Sequence, residues 1–218
     1  MRGIDSAMKS INGLDLPMTL TEWADPARAA LLIYDMQVGI CRQVESAEVI
    51  ANVQRVLMAA RAAGMRVIFT RHLSLPTKLM GRIAYRTAMA WQRTDDPAAV
   101  QPWFLRDSPG FAITPELAPR ADEVVFDKIT MSAFEGTPLQ ITLRDCGISA
   151  LAICGIALEI GIEPTVRHAA DLGLVPIVIE DACGHGNAEA AGRSIEQMHF
   201  TGDAILTDVA GFAAAIAR

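Results

Sequence analysis

The chain has 218 residues, of which 51% are hydrophobic and 20% charged, and its formal net charge is −6 at pH 7. The length suits one domain, and the composition excludes a wholly disordered chain. The acidic balance and the lack of a basic stripe exclude general nucleic-acid binding, and no apolar run reaches the roughly 18 residues of a membrane span. We therefore expect no nucleic acid and no membrane among the partners.

Residues 1–27 predict an irregular N-terminal arm, with Trp23 packed on the body of the protein. This arm has no apolar signal-peptide core. The four cysteines show no CxxC spacing, so buried, reduced thiols in a cytoplasmic protein are the plain interpretation.

Residues 28–218 alternate apolar runs with amphipathic segments, which predicts a single domain of strands and helices. The segment 71–121 is the least regular, and its length predicts a function or helices of its own. In chain order, the predicted strands are 29–34, 65–70, 123–126, 149–154, 174–181 and 203–208, and the predicted helices are 45–63, 137–145, 160–172 and 187–200.

The predicted strands are rich in Val, Ile and Leu and do not alternate with polar residues, as is typical of strands buried on both faces. Together with the intervening helices, they predict an α/β fold with a parallel sheet covered on both sides. In such folds ligands bind beyond the carboxyl ends of the strands, so that edge is where we expect the functional site.

Three of these strands are followed by polar features at that edge. Asp35 follows the first strand, Lys128 follows the third, and the turn 155–161, which contains Glu159, follows the fourth. Asp35 is interpreted as a general acid or base tuned by Lys128, or alternatively as a cap paired with a surface lysine. The turn could hold an anion on its N–H groups, or it could be an ordinary strand–helix connection.

Metal and cofactor motifs are not evident. The four histidines show neither HxH nor HExxH spacing, and the chain has no GxGxxG and no GxSxG, so we expect no metal, no cofactor and no serine nucleophile. His72 follows the second strand and is expected at the cleft. Trp91 and Phe134 are expected to line a small-molecule site or, equally, to pack in the core.

Four segments together resemble the isochorismatase-like (cysteine hydrolase) superfamily: LLIYDMQ (31–37), KITMSAF (128–134), GIALEIGIEPTVRHAADLG (155–173) and IEDACG (179–184). The resemblance covers residues 28–210. It implies a three-layer α/β/α sandwich with a parallel sheet of about six strands, and hydrolysis of a small molecule. It also implies a homo-oligomer (dimer or tetramer) and a cis peptide bond between Ile156 and Ala157.

Amidases of this superfamily use an Asp–Lys–Cys triad. Asp35 and Lys128 match its first two members, whereas Gly161 stands at the cysteine position and cannot form a covalent intermediate. The isochorismatases of the superfamily resemble this chain in having glycine there, and they cleave a vinyl ether without such an intermediate. By that resemblance Asp35 protonates the vinyl carbon, Lys128 is its electrostatic partner, and Gly161 leaves room for substrate or water.

Several substrate positions differ from those isochorismatases, which favours a substrate other than isochorismate. His72 replaces a glutamine, Met131 a tyrosine and Glu159 a histidine, while Arg82 or Arg86 is expected to bind a carboxylate. Glu159 is interpreted as a second acid or base, a partner of a cation, or a carboxylate at a helix N-terminus. The expected substrate-binding and oxyanion-binding residues are Gln37, His72, Arg82, Trp91, Met131, Phe134, Ile156, Ala157, Glu159 and Ile160.

Three functional hypotheses follow. The first is a small-molecule hydrolase that acts without a cysteine nucleophile. The second is an inactive relative that binds a ligand or a protein, and the third is an amide hydrolase in which Cys183 replaces the missing thiol.

Overall fold

The computed structural model describes residues 8–217, so residues 1–7 of the predicted arm lie outside the described part. In chain order, its strands and α-helices are β1 (Lys9–Ile11), β2 (Leu14–Leu16), α1 (Leu20–Trp23), β3 (Ala29–Tyr34), α2 (Val38–Cys41), α3 (Ala47–Ala62), β4 (Arg66–His72), α4 (Arg82–Gln92), β5 (Val124–Lys128), α5 (Leu139–Asp145), β6 (Ala150–Ile156), α6 (Glu163–Asp171), β7 (Val175–Gly184), α7 (Ala188–Thr201), β8 (Ile205–Thr207) and α8 (Val209–Ile216).

The main sheet of the described chain has six parallel strands in the order β5-β4-β3-β6-β7-β8. The chain runs outward from β3 to β5, returns to β6 beside β3, and then runs outward to β8 on the other side. This reversal creates a crevice beyond the carboxyl ends of β3 and β6, where parallel α/β sheets bind ligands.

Helices cover both faces of the sheet because successive strand residues point to opposite sides. Leu31 and Ile33 of β3 lie in one core cluster with residues of α3 and α8. Leu32 and Tyr34 lie in a second cluster with residues of α5, α6 and α7. The predicted three-layer α/β/α fold with a parallel sheet is confirmed.

Part of the N-terminal arm differs from the prediction of irregular structure. β1 and β2 form an antiparallel hairpin, in which Asn12 and Gly13 both have positive φ angles, of 53° and 77°. Asn-Gly is the preferred pair for such a tight hairpin turn, so a local sequence signal accounts for this difference. Trp23 packs against the core, as predicted.

Other differences lie in the less regular segments. α4 forms within the segment 71–121, as its length had allowed, whereas α1, α2 and α8 were not predicted. The predicted helix 160–172 begins with a π-helical turn, Leu158–Ile162, and continues as α6. Among residues 8–217, none of the helices combines the length and the apolar character that crossing a bilayer requires.

Candidate active site

Asp35 and Lys128 form a buried ion pair at the carboxyl edge of the sheet. Nζ of Lys128 lies 2.6 Å from Oδ2 of Asp35, and the two side chains are 0% and 5% exposed, respectively. Lys128 also donates to the carbonyl of Thr130 at 3.1 Å, and the hydroxyl of Thr70 donates to Oδ1 of Asp35 at 2.7 Å. The alternative of a cap paired with a surface lysine is therefore wrong.

The order of the strands explains how this pair forms. Lys128 ends β5 and Asp35 follows β3, with β4 lying between them, so Lys128 reaches over β4. Thr70 of β4 completes the row. Asp35 has a φ angle of 47°, in the left-handed region that is uncommon for residues other than glycine. Backbone strain of this kind often accompanies functional residues.

Tyr34 fills the space above Gly161, which was expected to be open to substrate or water. A Cβ added at position 161 would lie 2.5 Å from Cε1 of Tyr34, and closer still to its Cζ and hydroxyl oxygen. The phenol donates a hydrogen bond to the carbonyl of Met131, and Nζ of Lys128 lies 4.2 Å from the ring centroid. The expectation of free room at Gly161 is therefore wrong, because the residue before Asp35 has a large side chain that turns into this space.

Tyr34 is held as a neutral phenol. Burial above all, and then the charge of Asp35, raise the pKa of Tyr34 well above its ordinary value of 10.0. The hydroxyl thus keeps its proton and donates a hydrogen bond to the backbone carbonyl of Met131. The ring lies beside the ammonium of Lys128 at a distance typical of cation–π contacts.

The turn after β6 uses much of its hydrogen-bonding capacity internally. The N–H groups of Ile160, Gly161 and Ile162 all donate to the carbonyl of Ala157, at 3.3, 3.0 and 3.1 Å. The expectation that the N–H of Ile160 binds an anion is therefore not met in this arrangement. The peptide bond between Ile156 and Ala157 is cis.

Glu159 holds the start of α7 rather than facing the ion pair. Its Oε1 accepts hydrogen bonds from the N–H groups of Gly186 and Asn187, each at 2.8 Å. Within residues 8–217, Oε2 of Glu159 is buried without a hydrogen-bond partner. Of the interpretations of Glu159, the carboxylate at a helix N-terminus agrees with these contacts. The helix it caps is α7, however, and not α6, the helix that follows Glu159 in the chain.

Gln37 and Phe134 are buried and contact other parts of the protein interior. Gln37 is fully buried, and its amide joins the backbone of His72 and Phe111 through hydrogen bonds of 2.6 to 3.1 Å. Phe134 is 5% exposed within the core cluster on the α5–α6 face, and its ring packs on His168 with centroids 5.3 Å apart. Core packing is therefore the alternative that the structure supports for Phe134.

A cavity of about 630 Å³ lies beside the ion pair, between α4 and the segments that follow β4 and β5. His72, Trp91 and Met131, which were expected to bind substrate, line it together with Trp103 and Phe104. The ring of His72 meets those of Trp91 and Phe104 edge-on, with centroids 6.4 and 6.0 Å apart. Burial lowers the pKa of His72. The negative charge of Asp35 partly offsets this effect and the positive charge of Lys128 adds to it, so the pKa stays below its ordinary value and the histidine is neutral at pH 7.

Arg82 does not join these residues. It is exposed and lines a separate groove with Arg86 and Arg93, on the face of α4 opposite Ala84, Ala88 and Trp91. The helical period of 3.6 residues accounts for this separation, because residues three, four and seven apart share one face.

The thiols of Cys154 and Cys183 are poorly suited to catalysis. Cys154 is fully buried in β6, and Cys183 lies opposite Gly155 in β7. Burial raises the pKa of both thiols, which disfavours the nucleophilic thiolate.

Four residues of this region were missed by the sequence analysis: Tyr34, Thr70, Trp103 and Phe104. Tyr34 had a usable signal, since it directly precedes Asp35 and is an aromatic residue at the end of an otherwise aliphatic strand. Thr70 had the weaker signal of a hydroxyl near the end of a strand. Trp103 and Phe104 lie in an irregular segment, where no period predicts the direction of a side chain.

Comparison with known proteins gives consistent matches over most of the chain. The family model of the isochorismatase domain matches residues 29–210. The isochorismatase family protein YecD of Escherichia coli O157:H7 is 29% identical over 178 residues, which are 78% of this chain and 87% of YecD.

Solved structures agree with these matches. A cysteine hydrolase from Pseudomonas syringae pv. phaseolicola 1448A is 25% identical with a TM-score of 0.77, over 88% of this chain and 93% of that chain. An isochorismatase family protein from Burkholderia thailandensis is 27% identical with a TM-score of 0.71, over 87% of this chain and 96% of that chain.

Proposed function

Because this chain belongs to the isochorismatase family, we propose that it is a small-molecule hydrolase that acts without a cysteine nucleophile, with Asp35 as its general acid. The observation that carries this proposal is the buried arrangement of Asp35, Lys128 and Thr70, together with glycine at the position where amidases of the family have their nucleophile. General acid catalysis needs a titratable group held in a fixed position, and the three-residue arrangement provides one.

The proposed reaction is the hydrolysis of a vinyl-ether type of bond. In the reacting state Asp35 carries a proton taken up from solvent. It transfers this proton to the vinyl carbon, and the electron pair of the double bond forms the new C–H bond. Lys128 stabilises the resulting carboxylate of Asp35, 2.6 Å away. Water then adds to the oxocarbenium ion and loses one proton to the carboxylate of Asp35, and the adduct separates into a ketone and an alcohol.

An amide hydrolase that uses Cys183 is a weaker candidate. Cys183 lies in β7 opposite Gly155 of β6, and burial raises the pKa of its thiol, which opposes thiolate formation. An inactive, ligand-binding relative is the stronger alternative, because Asp35 is only 3% exposed and a substrate must reach it.

A substrate screen with a matched pair of variants tests the proposal. Vinyl ethers, amides and ureido compounds are offered to the wild type, to Asp35→Asn and to Asp171→Asn, an exposed carboxylate at the end of α6. We expect turnover by the wild type and Asp171→Asn but none by Asp35→Asn. Retained turnover in Asp35→Asn would sink the assignment of Asp35, and the lack of any turnover would favour the inactive relative.

The proposal includes assembly into a homo-oligomer, a dimer or tetramer. Apolar side chains on the β1–β2 hairpin support it, since Ile11, Leu14 and Leu16 are 58%, 67% and 42% exposed. Contiguous exposed apolar surface often marks an interface. Light scattering on the wild type and on Leu14→Ser tests this, and a monomeric wild type would contradict it.

A further inference from the structure

The cavity between α4 and the β4 and β5 loops is lined mostly by apolar side chains. Two tryptophans, Trp91 and Trp103, lie in its wall with Phe104, Leu73 and Met131. Aromatic side chains of this kind bind flat apolar groups through large contact areas. The cavity volume of about 630 Å³ is within the ordinary range for small-molecule sites.

The lining offers no counter-charge for an anionic ligand. Among the described residues that line the cavity, none is Asp, Glu, Lys or Arg. His72 is the titratable group of the wall, and burial keeps it neutral at pH 7. Lys128, which pairs with His72 of the wall across β4 and β5, is neutralised by Asp35 at 2.6 Å.

The arginines of α4 do not supply the missing positive charge. Arg82 and Arg86 line the groove on the opposite face of the helix. A carboxylate placed in the cavity would therefore lose its hydration without gaining an ion pair, which is strongly unfavourable. An amide would lose less, because it is uncharged and because Ser74, Thr87, Gln92 and Gln101 provide polar groups at the wall.

From these observations we propose that the cavity binds an uncharged, flat, largely aromatic part of the ligand and discriminates against carboxylates. If the proposed hydrolase function holds, this assigns the substrate class: a neutral compound with an aryl or similar apolar group, held against His72 and Thr130 of the wall. The binding preference itself stands independently of turnover.

A matched pair of probes tests the preference by calorimetry. 2-Naphthamide and 2-naphthoate have the same ring system and differ in charge. We expect the amide to bind at least about ten-fold more tightly than the carboxylate at pH 7, because an unpaired buried charge is disfavoured.

Two variants on α4 locate the binding site. Ala88 lines the cavity, whereas Ala90, two residues along, faces the exposed groove. Ala88→Phe fills the cavity and should weaken binding of the amide by about ten-fold or more. Ala90→Phe adds the same side chain on the other face and should leave the affinity within about two-fold.

The outcomes separate this inference from the proposed function. Equal binding of both probes, binding of neither, or an affinity unchanged in Ala88→Phe would overturn the assigned substrate class. The hydrolase proposal can fail on its own. It fails if 2-naphthamide binds as expected but the wild type turns over no neutral aryl substrate, or turns one over only as well as Asp35→Asn does. Circular dichroism of both variants checks that α4 remains folded.

Discussion

The ring of Tyr34 occupies the position that any side chain on residue 161 would need. A Cβ at Gly161 would lie 2.5 Å from Cε1 of Tyr34 and nearer to its Cζ and hydroxyl oxygen. A cysteine cannot stand at position 161 while Tyr34 keeps this position. The missing nucleophile and the residue before Asp35 are therefore linked, and the absence of a thiol is built into the packing of the site.

Enlarging Gly161 should destabilise the protein through overpacking. We expect Gly161→Ala to lower the free energy of unfolding by about 1–3 kcal/mol, because the collision involves a buried ring. The loss should persist in a Tyr34→Phe background, since Cζ and Cε1 remain, and should shrink in a Tyr34→Val background. Chemical denaturation of these single and double variants measures the coupling, and additive losses with Tyr34→Val would contradict the contact.

Breaking the buried ion pair from the lysine side should be costly. Lys128→Met leaves Asp35 buried without its counter-charge, so we expect a loss of about 3–5 kcal/mol in the free energy of unfolding. Asp35→Asn combined with Lys128→Met should lose less than Lys128→Met alone. The control is Arg193→Met, which removes the exposed pair with Glu189 and should cost no more than about 0.5 kcal/mol.

Glu159 should act through hydrogen bonding and not through its charge. Glu159→Ala removes the acceptor for the N–H groups of Gly186 and Asn187, so we expect a loss of about 0.5–2 kcal/mol and faster hydrogen exchange at both amides. Glu159→Gln keeps an oxygen acceptor and should preserve both stability and turnover. Loss of turnover in the glutamine variant alone would instead indicate an acid or base role.

His72 should make the folded state less stable in acid. Its pKa lies below the ordinary value of 6.5 in the folded state, so the unfolded chain binds the proton more readily. This part of the stability is fully present above the ordinary pKa and is lost as the pH falls through it towards the folded pKa. Denaturation curves between about pH 7 and pH 5 should therefore show a smaller pH-dependent loss for His72→Gln than for the wild type. His185→Gln, at an exposed histidine, should behave like the wild type.

Thiol labelling should distinguish exposed from buried cysteines. In the native protein we expect iodoacetamide to modify Cys146, which is exposed, and to spare Cys154 and Cys183, whose pKa values are raised by burial. Mass spectrometry identifies the modified residue, and denatured protein should be labelled at all of its cysteines. Rapid native labelling of Cys183 with loss of turnover would revive the amidase hypothesis.

Much of the architecture could be predicted because it follows from local patterns. The strand Ala29–Tyr34 is one uninterrupted apolar run, and the helix Ala47–Ala62 repeats buried residues at helical spacing. Parallel topology then places Asp35 and Lys128 at one edge. The hairpin at Asn12 and Gly13 also follows from a local pattern, because Asn-Gly is the preferred pair for a tight hairpin turn.

The sequence alone determined the strands, the edge where they end, and the fact that residue 161 has no side chain. These features depend on composition and on spacing along the chain. Only the tertiary structure decided that Tyr34 fills the space above Gly161, that Glu159 binds the start of α7, and that Arg82 faces away from the cavity. Each of these depends on which distant segments pack together and on the rotation of each element about its axis, and neither is encoded in a local pattern.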